Sequence, residues 1–416
     1  MPEDCERNEE DKVKFRLYLK LIVIMKKMIL LAAAMFGLTV SAMAQEGYKF
    51  TDTKVLKTVP ITNQYRSGTC WCFSTLSFLE EEILAKGGEQ VTLSQMWIVR
   101  NAYFDKAVKY VRLHGNLNFA VGGAAHDVTE MIKKYGAVPL EAYPGYNYGT
   151  ELPEFGEIDA VLLAYVEAVV ENKNGKLTTA WQEGLNGILD AYFGKRPEKF
   201  TYKGKEYTPK SFAESLPINM DDYIEFTSYT HYPFYTTFAL EVPDNWMWHE
   251  MYNIPMEEMM QCVDAALEAG HPVAWGTDVS EKSFVGSKAI GVIPESVEKN
   301  LVGSDAEKWG KLSNAEKQAK INSLDSPMKE KTITQEMRQQ AYDNYENTDD
   351  HGMVIVGTAV DQQGNPFFKV QNSWGDKGPY KGFYYFSRPF VEYKTMDIMV
   401  NKNVVPKEIL KKVGLK

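Results

Sequence analysis

The sequence predicts an α+β protein: a helical lobe first, a β lobe after it, and a large insertion between them. Three observations carry that expectation. Apolar residues recur at helical spacing in several segments before residue 270. After Gly270-His271-Pro272 the runs become β-branched, aromatic and strand-like. The turn Asp361-Gln362-Gln363-Gly364-Asn365-Pro366 then joins two such runs as a hairpin. Helices leading and strands following give an α+β layering, with the cleft between the lobes as the expected site. At 416 residues, 44% of them hydrophobic, the chain can bury a large core.

Taken in order, residues 45–60 read as an extended entry segment ending at Pro60. Over 70–86, Phe73, Leu76, Leu79, Ile83 and Leu84 fall on helical spacing, and Gly87-Gly88 stops the run. Ser94 is placed to cap a second helix over 95–109, and a third over 124–135 follows Val121-Gly122-Gly123 and ends at Gly136. These make the helical lobe, about 64–143. The stretch 144–250, rich in Tyr, Trp and Pro, reads as an elaboration packed around the core. An amphipathic helix over 255–269 leads to the β lobe, about 271–400, with strands near 273–279, 353–360, 367–371 and 382–386. A charged helical stretch, roughly 304–345, interrupts them, and its mixed charges suit a solvated face. Residues 401–416 form a tail.

The amino terminus reads as a targeting segment. Met25 is followed by Lys26 and Lys27, a short apolar run over 28–40, and the small-x-small exit Ala42-Met43-Ala44. That is the pattern of a secretory signal cleaved after Ala44, with residues 1–24 upstream of the true start. The apolar segment 28–44 has 17 residues, below the ~20 of a membrane span. Export to the periplasm or medium is the expectation, with no membrane attachment after cleavage. Losing residues 1–44 removes 7 Lys/Arg and 6 Asp/Glu and moves the net charge from −10 to −11. An acidic balance opposes nonspecific nucleic-acid binding. Cys70, Cys72 and Cys262 remain, too few for a disulfide scaffold. Cys70 and Cys72 are two apart on one helix and point to different faces, so they are poorly placed to bridge. Cys72 and Cys262 read as small core residues.

Three segments carry chemistry. In Gln64-Tyr65-Arg66-Ser67-Gly68-Thr69-Cys70-Trp71-Cys72, the first thiol stands where a loop becomes a helix. Backbone N–H groups and the helix dipole favour a thiolate there, and a nearby imidazolium would lower the thiol pKa further. The Gln64 side-chain amide, with the Cys70 backbone N–H, could form a two-donor hole for a tetrahedral oxyanion. In Asp349-Asp350-His351-Gly352, a histidine opens an apolar strand. Alone, it would read as a satisfied core residue. In Gln371-Asn372-Ser373-Trp374-Gly375, Asn372 can accept from an imidazole N–H and fix its tautomer, while Trp374 shields that bond. His114, His126, His231, His249 and His271 show no metal-ligand spacing, so neither a metal nor another cofactor is expected.

Gln ahead of Cys-Trp, Asp-His-Gly before an apolar strand, and Asn-Ser-Trp-Gly occur in the order a Cys–His–Asn peptidase requires. The chain strongly resembles the papain superfamily, which implies Cys70, His351, Asn372 and Gln64 as its catalytic residues. Its two-lobe fold, helical lobe plus β-barrel-like lobe, is the fold expected. Ser67 stands where papain-type enzymes carry a cysteine, and His351 follows Cys70 by 281 residues, against ~130–150 in those enzymes. Both features resemble the bleomycin hydrolase and aminopeptidase C family. So do the segments from Gly270 to Val279, Thr332 to Arg338 and Val404 to Leu410. Gly122 and Gly123 match the loop whose backbone pairs with substrate in such clefts, although a structural turn would read the same.

The resemblance implies a thiol aminopeptidase acting on short peptides, assembled as a homo-hexamer with sites facing an inner chamber. It also implies that the chain's C-terminus enters the cleft, where the Lys416 carboxylate would meet the substrate ammonium. Six residues beyond Leu410 span at most ~20 Å, about enough to cross from rim to cleft. A frayed end is the other reading. The alternative function is an endopeptidase or dipeptidyl peptidase with an open cleft. A third reading, an inactive peptide-binding protein on the same fold, is opposed by the intact set of four residues.

Overall fold

The computed structural model describes residues 47–173, 175–295, 307–308 and 310–415. The secretory signal expected over 25–44, and part of the charged stretch near 304, lie outside them. The described chain divides into a main body, 50–323 with 328–416, and a smaller unit whose described residues are 47–49 and 324–327.

The first helix, α1 (Cys70–Ala85), starts at the cysteine itself. Gly68 turns the chain into it at φ +63°, a conformation in which a Cβ would also strike Val121. Helices α2 (Gln95–Arg112) and α3 (Ala125–Tyr135) complete the trio expected from spacing, and the Ser94 hydroxyl accepts the Trp97 N–H as its cap. Helices α4 (Gly156–Val170) and α5 (Ala180–Phe193) come from the elaboration and bury Leu162, Val166, Leu185 and Leu189 in the same core.

The β lobe is built on an 11-stranded mixed sheet. Its members are β1 (Phe50–Val55), β2 (Tyr223–Thr227), β3 (Thr237–Ala239), β4 (Glu250–Asn253), β5 (Val273–Thr277), β6 (Phe284–Val285), β7 (Ile290–Gly291), β8 (His351–Asp361), β9 (Pro366–Gln371), β10 (Phe383–Ser387) and β11 (Thr395–Asn401). The order is β3-β4-β2-β11-β5-β8-β9-β10-β7-β6, and β1 adds to β8. The expected hairpin joins β8 to β9; the Asp361 carboxylate accepts the Gln363 and Asn365 N–H groups at 2.8 and 2.9 Å and closes it. Two features differ from expectation. The stretch read as elaboration, 144–250, supplies strands β2 and β3 and the start of β4, and β11, unread in the sequence, lies between β2 and β5.

The lobes meet through buried polar contacts on α1. Glu82, fully buried, accepts from Asn401 at 2.8 Å and pairs with His271 at 2.7 Å; within the helical lobe, Glu80 accepts the Leu93 N–H at 2.7 Å. Partners of this kind offset the cost of burying carboxylates. At the far end, α6 (Met256–Ala269) ends on Gly270 in the left-handed conformation, and α7 (Lys407–Lys412) docks close to it. Ile409 is buried there, and the Lys412 ammonium lies 2.5 Å from Glu258 on α6. The Leu415 N–H folds back onto the Leu410 carbonyl at 2.8 Å. Residues 407–415 therefore lie along the β lobe rather than crossing into the cleft as expected, and Lys416, whose carboxylate was to meet the substrate, is outside the described residues. The tail's apolar residues find a partner on the β lobe instead.

Candidate active site

Cys70 sits at the first position of α1, half-buried. The loop before it is held from within: the Ser67 hydroxyl donates to the Gln64 carbonyl at 2.8 Å and lies 2.6 Å from the Thr69 hydroxyl. Trp71 Nε1 donates to the Val121 carbonyl at 3.0 Å and ties the helix to the Gly122-Gly123 loop. The Trp71 and Gly352 backbone N–H groups both point at the Cys70 sulfur and favour its anion. Burial outweighs them and pushes the thiol up to about 12. Desolvation therefore opposes the anion that the helix terminus favours. Cys72 and Cys262 are fully buried and unbridged.

His351 opens β8 and is 5% exposed. Its Nε2–H donates to Asn372 Oδ1 at 2.8 Å, and the Ser373 N–H donates to the same oxygen at 2.7 Å. The Trp374 ring packs on the imidazole with centroids 4.7 Å apart. Burial lowers the imidazole to about 4, and the Asn372 bond opposes that shift. Gln64 is buried against the same segment: the Ser373 hydroxyl donates to Gln64 Oε1 at 2.7 Å and the Gln64 N–H to the Ser373 carbonyl at 2.8 Å. With its oxygen engaged there, the side chain presents its NH2 elsewhere.

Cys70, His351 and Gly123 line one cavity, together with Trp71, Ser74, Ala274, Gly276, Gly352 and the carboxylates Asp244, Asp349, Asp350 and Asp397, of which Asp350 already accepts the Val279 N–H at 2.8 Å. Its free space is about 30 Å³, room for one or two water-sized groups. Gly122 does not line it. The Asp244 carboxylate lies where a Gly122 Cβ would stand, and the Gly122 carbonyl accepts from the Lys106 ammonium at 2.5 Å. A Cβ on Gly123 would meet Asp127 and the Trp71 ring, so this glycine also serves packing. The segment 243–248 forms a strap over the glycine loop. It is fastened by Trp246 Nε1 to Asp127 at 2.6 Å and by the Lys109 ammonium to the Met247 carbonyl at 2.8 Å.

These carboxylates come from the strap (Asp244), the loop before β8 (Asp349 and Asp350) and strand β11 (Asp397). Sequence reading missed them as a group, although Asp349 stood in the quoted histidine motif. Nearby, His126 Nδ1 and a Glu225 oxygen lie 2.9 Å apart, and the His126 and His249 rings stack at 4.4 Å. One ligand atom from each of these three residues falls within 4.8 Å of the others, a convergence linear spacing could not reveal. Their positions satisfy an ion pair first: Glu225 raises His126 to about 9, against its desolvation.

Gly352 explains why a glycine follows the histidine. A Cβ there would stand 2.7 Å from Ser74 Oγ and 3.4 Å from the Trp71 Cα, so strand and helix touch through bare backbone. Gly352→Ala is expected to lower kcat about tenfold, since small displacements of reacting groups cost up to ~10²-fold. Adding Ser74→Ala removes the obstructing hydroxyl and should restore most of the loss; steady-state kinetics of single and double variants decide it.

The family model of the Peptidase C1-like family matches residues 25–292 and 296–415. The chain is 26% identical to aminopeptidase G of Lactobacillus delbrueckii subsp. lactis, covering 85% of this chain and 83% of that one. It is 24% identical to bleomycin hydrolase of Mus musculus, over 84% and 82%. Among solved structures, PepW from Lactobacillus rhamnosis aligns with a TM-score of 0.65 at 20% identity, covering 98% of this chain and 95% of that one, a likeness of fold. A family match across nearly the whole chain is decisive: the chain belongs to the Peptidase C1-like family and is a cysteine peptidase.

Proposed function

We propose that the chain is a cysteine aminopeptidase, releasing the N-terminal residue of short peptides through a thioester on Cys70. His351 Nδ1 takes the thiol proton as sulfur attacks the scissile carbonyl carbon. The resulting oxyanion lies between the Cys70 N–H and the Gln64 amide. Collapse breaks the C–N bond, and the imidazolium returns its proton to the leaving amine. Water, deprotonated by His351, then attacks the thioester; the amino acid leaves and the thiol is restored. Asn372 holds the imidazole tautomer throughout. Both charges of the Cys70–His351 pair arise together in the first step, so their attraction offsets the burial that disfavours either alone.

The observation that carries the exopeptidase reading is the narrow space beside Cys70, closed by the Asp244 strap over Gly122. An extended peptide running past the nucleophile would need that space, whereas a single N-terminal residue needs little of it. The names of similar proteins, aminopeptidase G and aminopeptidase C, support the same reading. Matched peptides with free and acetylated N-termini test it: free ones should be cleaved about 10²-fold more efficiently. Equal cleavage would favour the endopeptidase reading. Because the tail docks on α6, deleting residues 411–416 should leave the free-to-acetylated ratio unchanged. Loss of the exposed Lys412–Glu258 contact should change the melting temperature little.

A further inference from the structure

We propose that Asp349 and Asp397, with Asp244 on the facing wall, form the receptor for the free α-ammonium of the substrate's first residue; this rests on the aminopeptidase reading. The place follows from covalent geometry. In an N-terminal residue the amine and the scissile carbonyl carbon are separated by one atom, roughly 2.5 Å. Whatever binds the amine must therefore share a cavity with the nucleophile, and these three carboxylates share one with Cys70 and His351.

Asp397 is the central member. It lies on β11 opposite Gly276 of β5, and a Cβ at Gly276 would stand 2.5 Å from its Oδ2. The bare glycine backbone lets this carboxylate lie against β5 and face the cavity. Asp397 is 5% exposed, and among the described residues no hydrogen bond or ion pair reaches its carboxylate. A buried acid without a partner is costly unless something else supplies one. The nearby cations are engaged elsewhere: Lys106 donates to the Ala120 and Gly122 carbonyls, and His126 is paired with Glu225.

Burial raises Asp349 well above the usual carboxylate range, and Asp397 and Asp244 raise it further. Burial, then Glu225, bring Asp397 up to about 7. A monovalent cation entering the cavity relieves both the desolvation and the repulsion. The free space, about 30 Å³, suits a small ammonium group. With the C-terminal helix docked on α6, these side chains supply the negative charge that an aminopeptidase cleft requires.

The test uses the full chain carrying Asp397→Asn or Asp349→Asn. Three substrates are compared: a leucyl anilide, its N-acetyl counterpart and an N-acetyl-arginyl anilide. Asp397→Asn should reduce the free-to-acetylated ratio of kcat/KM about thirtyfold, mainly through KM, as for removal of one member of a desolvated charge pair. Asp349→Asn should reduce it less. Melting temperature and alkylation of Cys70 confirm folding, and if Asp397→Asn does not fold, Asp349→Asn decides alone. An unchanged ratio in every folded variant overturns the proposal. So does a loss confined to the arginyl substrate, which would assign the acids to a side-chain cation. If the wild type shows no preference for the free substrate, the aminopeptidase reading itself fails. The receptor is then judged by whether leucinamide protects Cys70 from alkylation better than N-acetyl-leucinamide; equal protection sinks it as well.

Discussion

Cys70→Ser is expected to abolish turnover, lowering kcat by ~10⁴ or more while leaving the fold intact, on the scale seen when a nucleophile is removed. The oxygen would stand at the same helix terminus, facing the same Trp71 and Gly352 N–H groups. What changes is the proton. His351, lowered by burial to about 4, is a weak base, and its partner Asn372 is neutral. A carboxylate in that place would stabilise an imidazolium; an amide only orients the ring. Such a base can take a proton from a thiol, whose anion is intrinsically stable and polarisable, but not from an alcohol several units less acidic. Cys72→Ser is the control. Its sulfur is fully buried and donates to the Gln95 carbonyl at 3.4 Å, a role a hydroxyl can fill. That variant should keep most activity and still take up iodoacetamide at Cys70. An active Cys70→Ser protein, or an inactive but folded Cys72→Ser one, would overturn the assignment.

The parts of this site that were legible in the sequence are those encoded locally. A glycine turn before Cys70, an apolar run after His351 and a polar turn after Gln371 each announce one end of an element, and the structure begins or ends an element at those places. Pairings across the fold left no such mark. Strand β11 is flanked by β2 and β5, from residues more than a hundred positions earlier, and its register decides that Asp397 reaches the cavity. Asp244, Asp349 and Asp397 lie in three separate segments, so neither period nor spacing could group them. The convergence of His126, Glu225 and His249 leaves no mark in linear spacing for the same reason. Likewise the tail's reach was computable from its length, but not the apolar surface of α6 that captures it.

Gln64→Ala should lower kcat by about 10² to 10³ with KM little changed, the expected loss for one oxyanion donor. The reasoning starts from the segment that holds the glutamine. Asn63 pairs with Trp374, the Gly375 N–H donates to the Thr62 carbonyl at 3.0 Å, and the Ser373 hydroxyl fixes Gln64 Oε1. One short stretch, 372–375, therefore orients both the imidazole, through Asn372, and the amide, through Ser373. A donor fixed before substrate arrives costs no reorganisation when the oxyanion forms, which is why its loss appears in kcat. Ser373→Ala separates orientation from chemistry. It keeps the Gln64 amide but frees it to rotate, so its kcat should fall by about tenfold, between wild type and Gln64→Ala. In the double variant the serine change should add nothing, because there is no longer an amide to orient. If Gln64→Ala retains wild-type kcat, the oxyanion is held by other donors. If the two losses simply multiply, Ser373 acts on the site by some route other than Gln64.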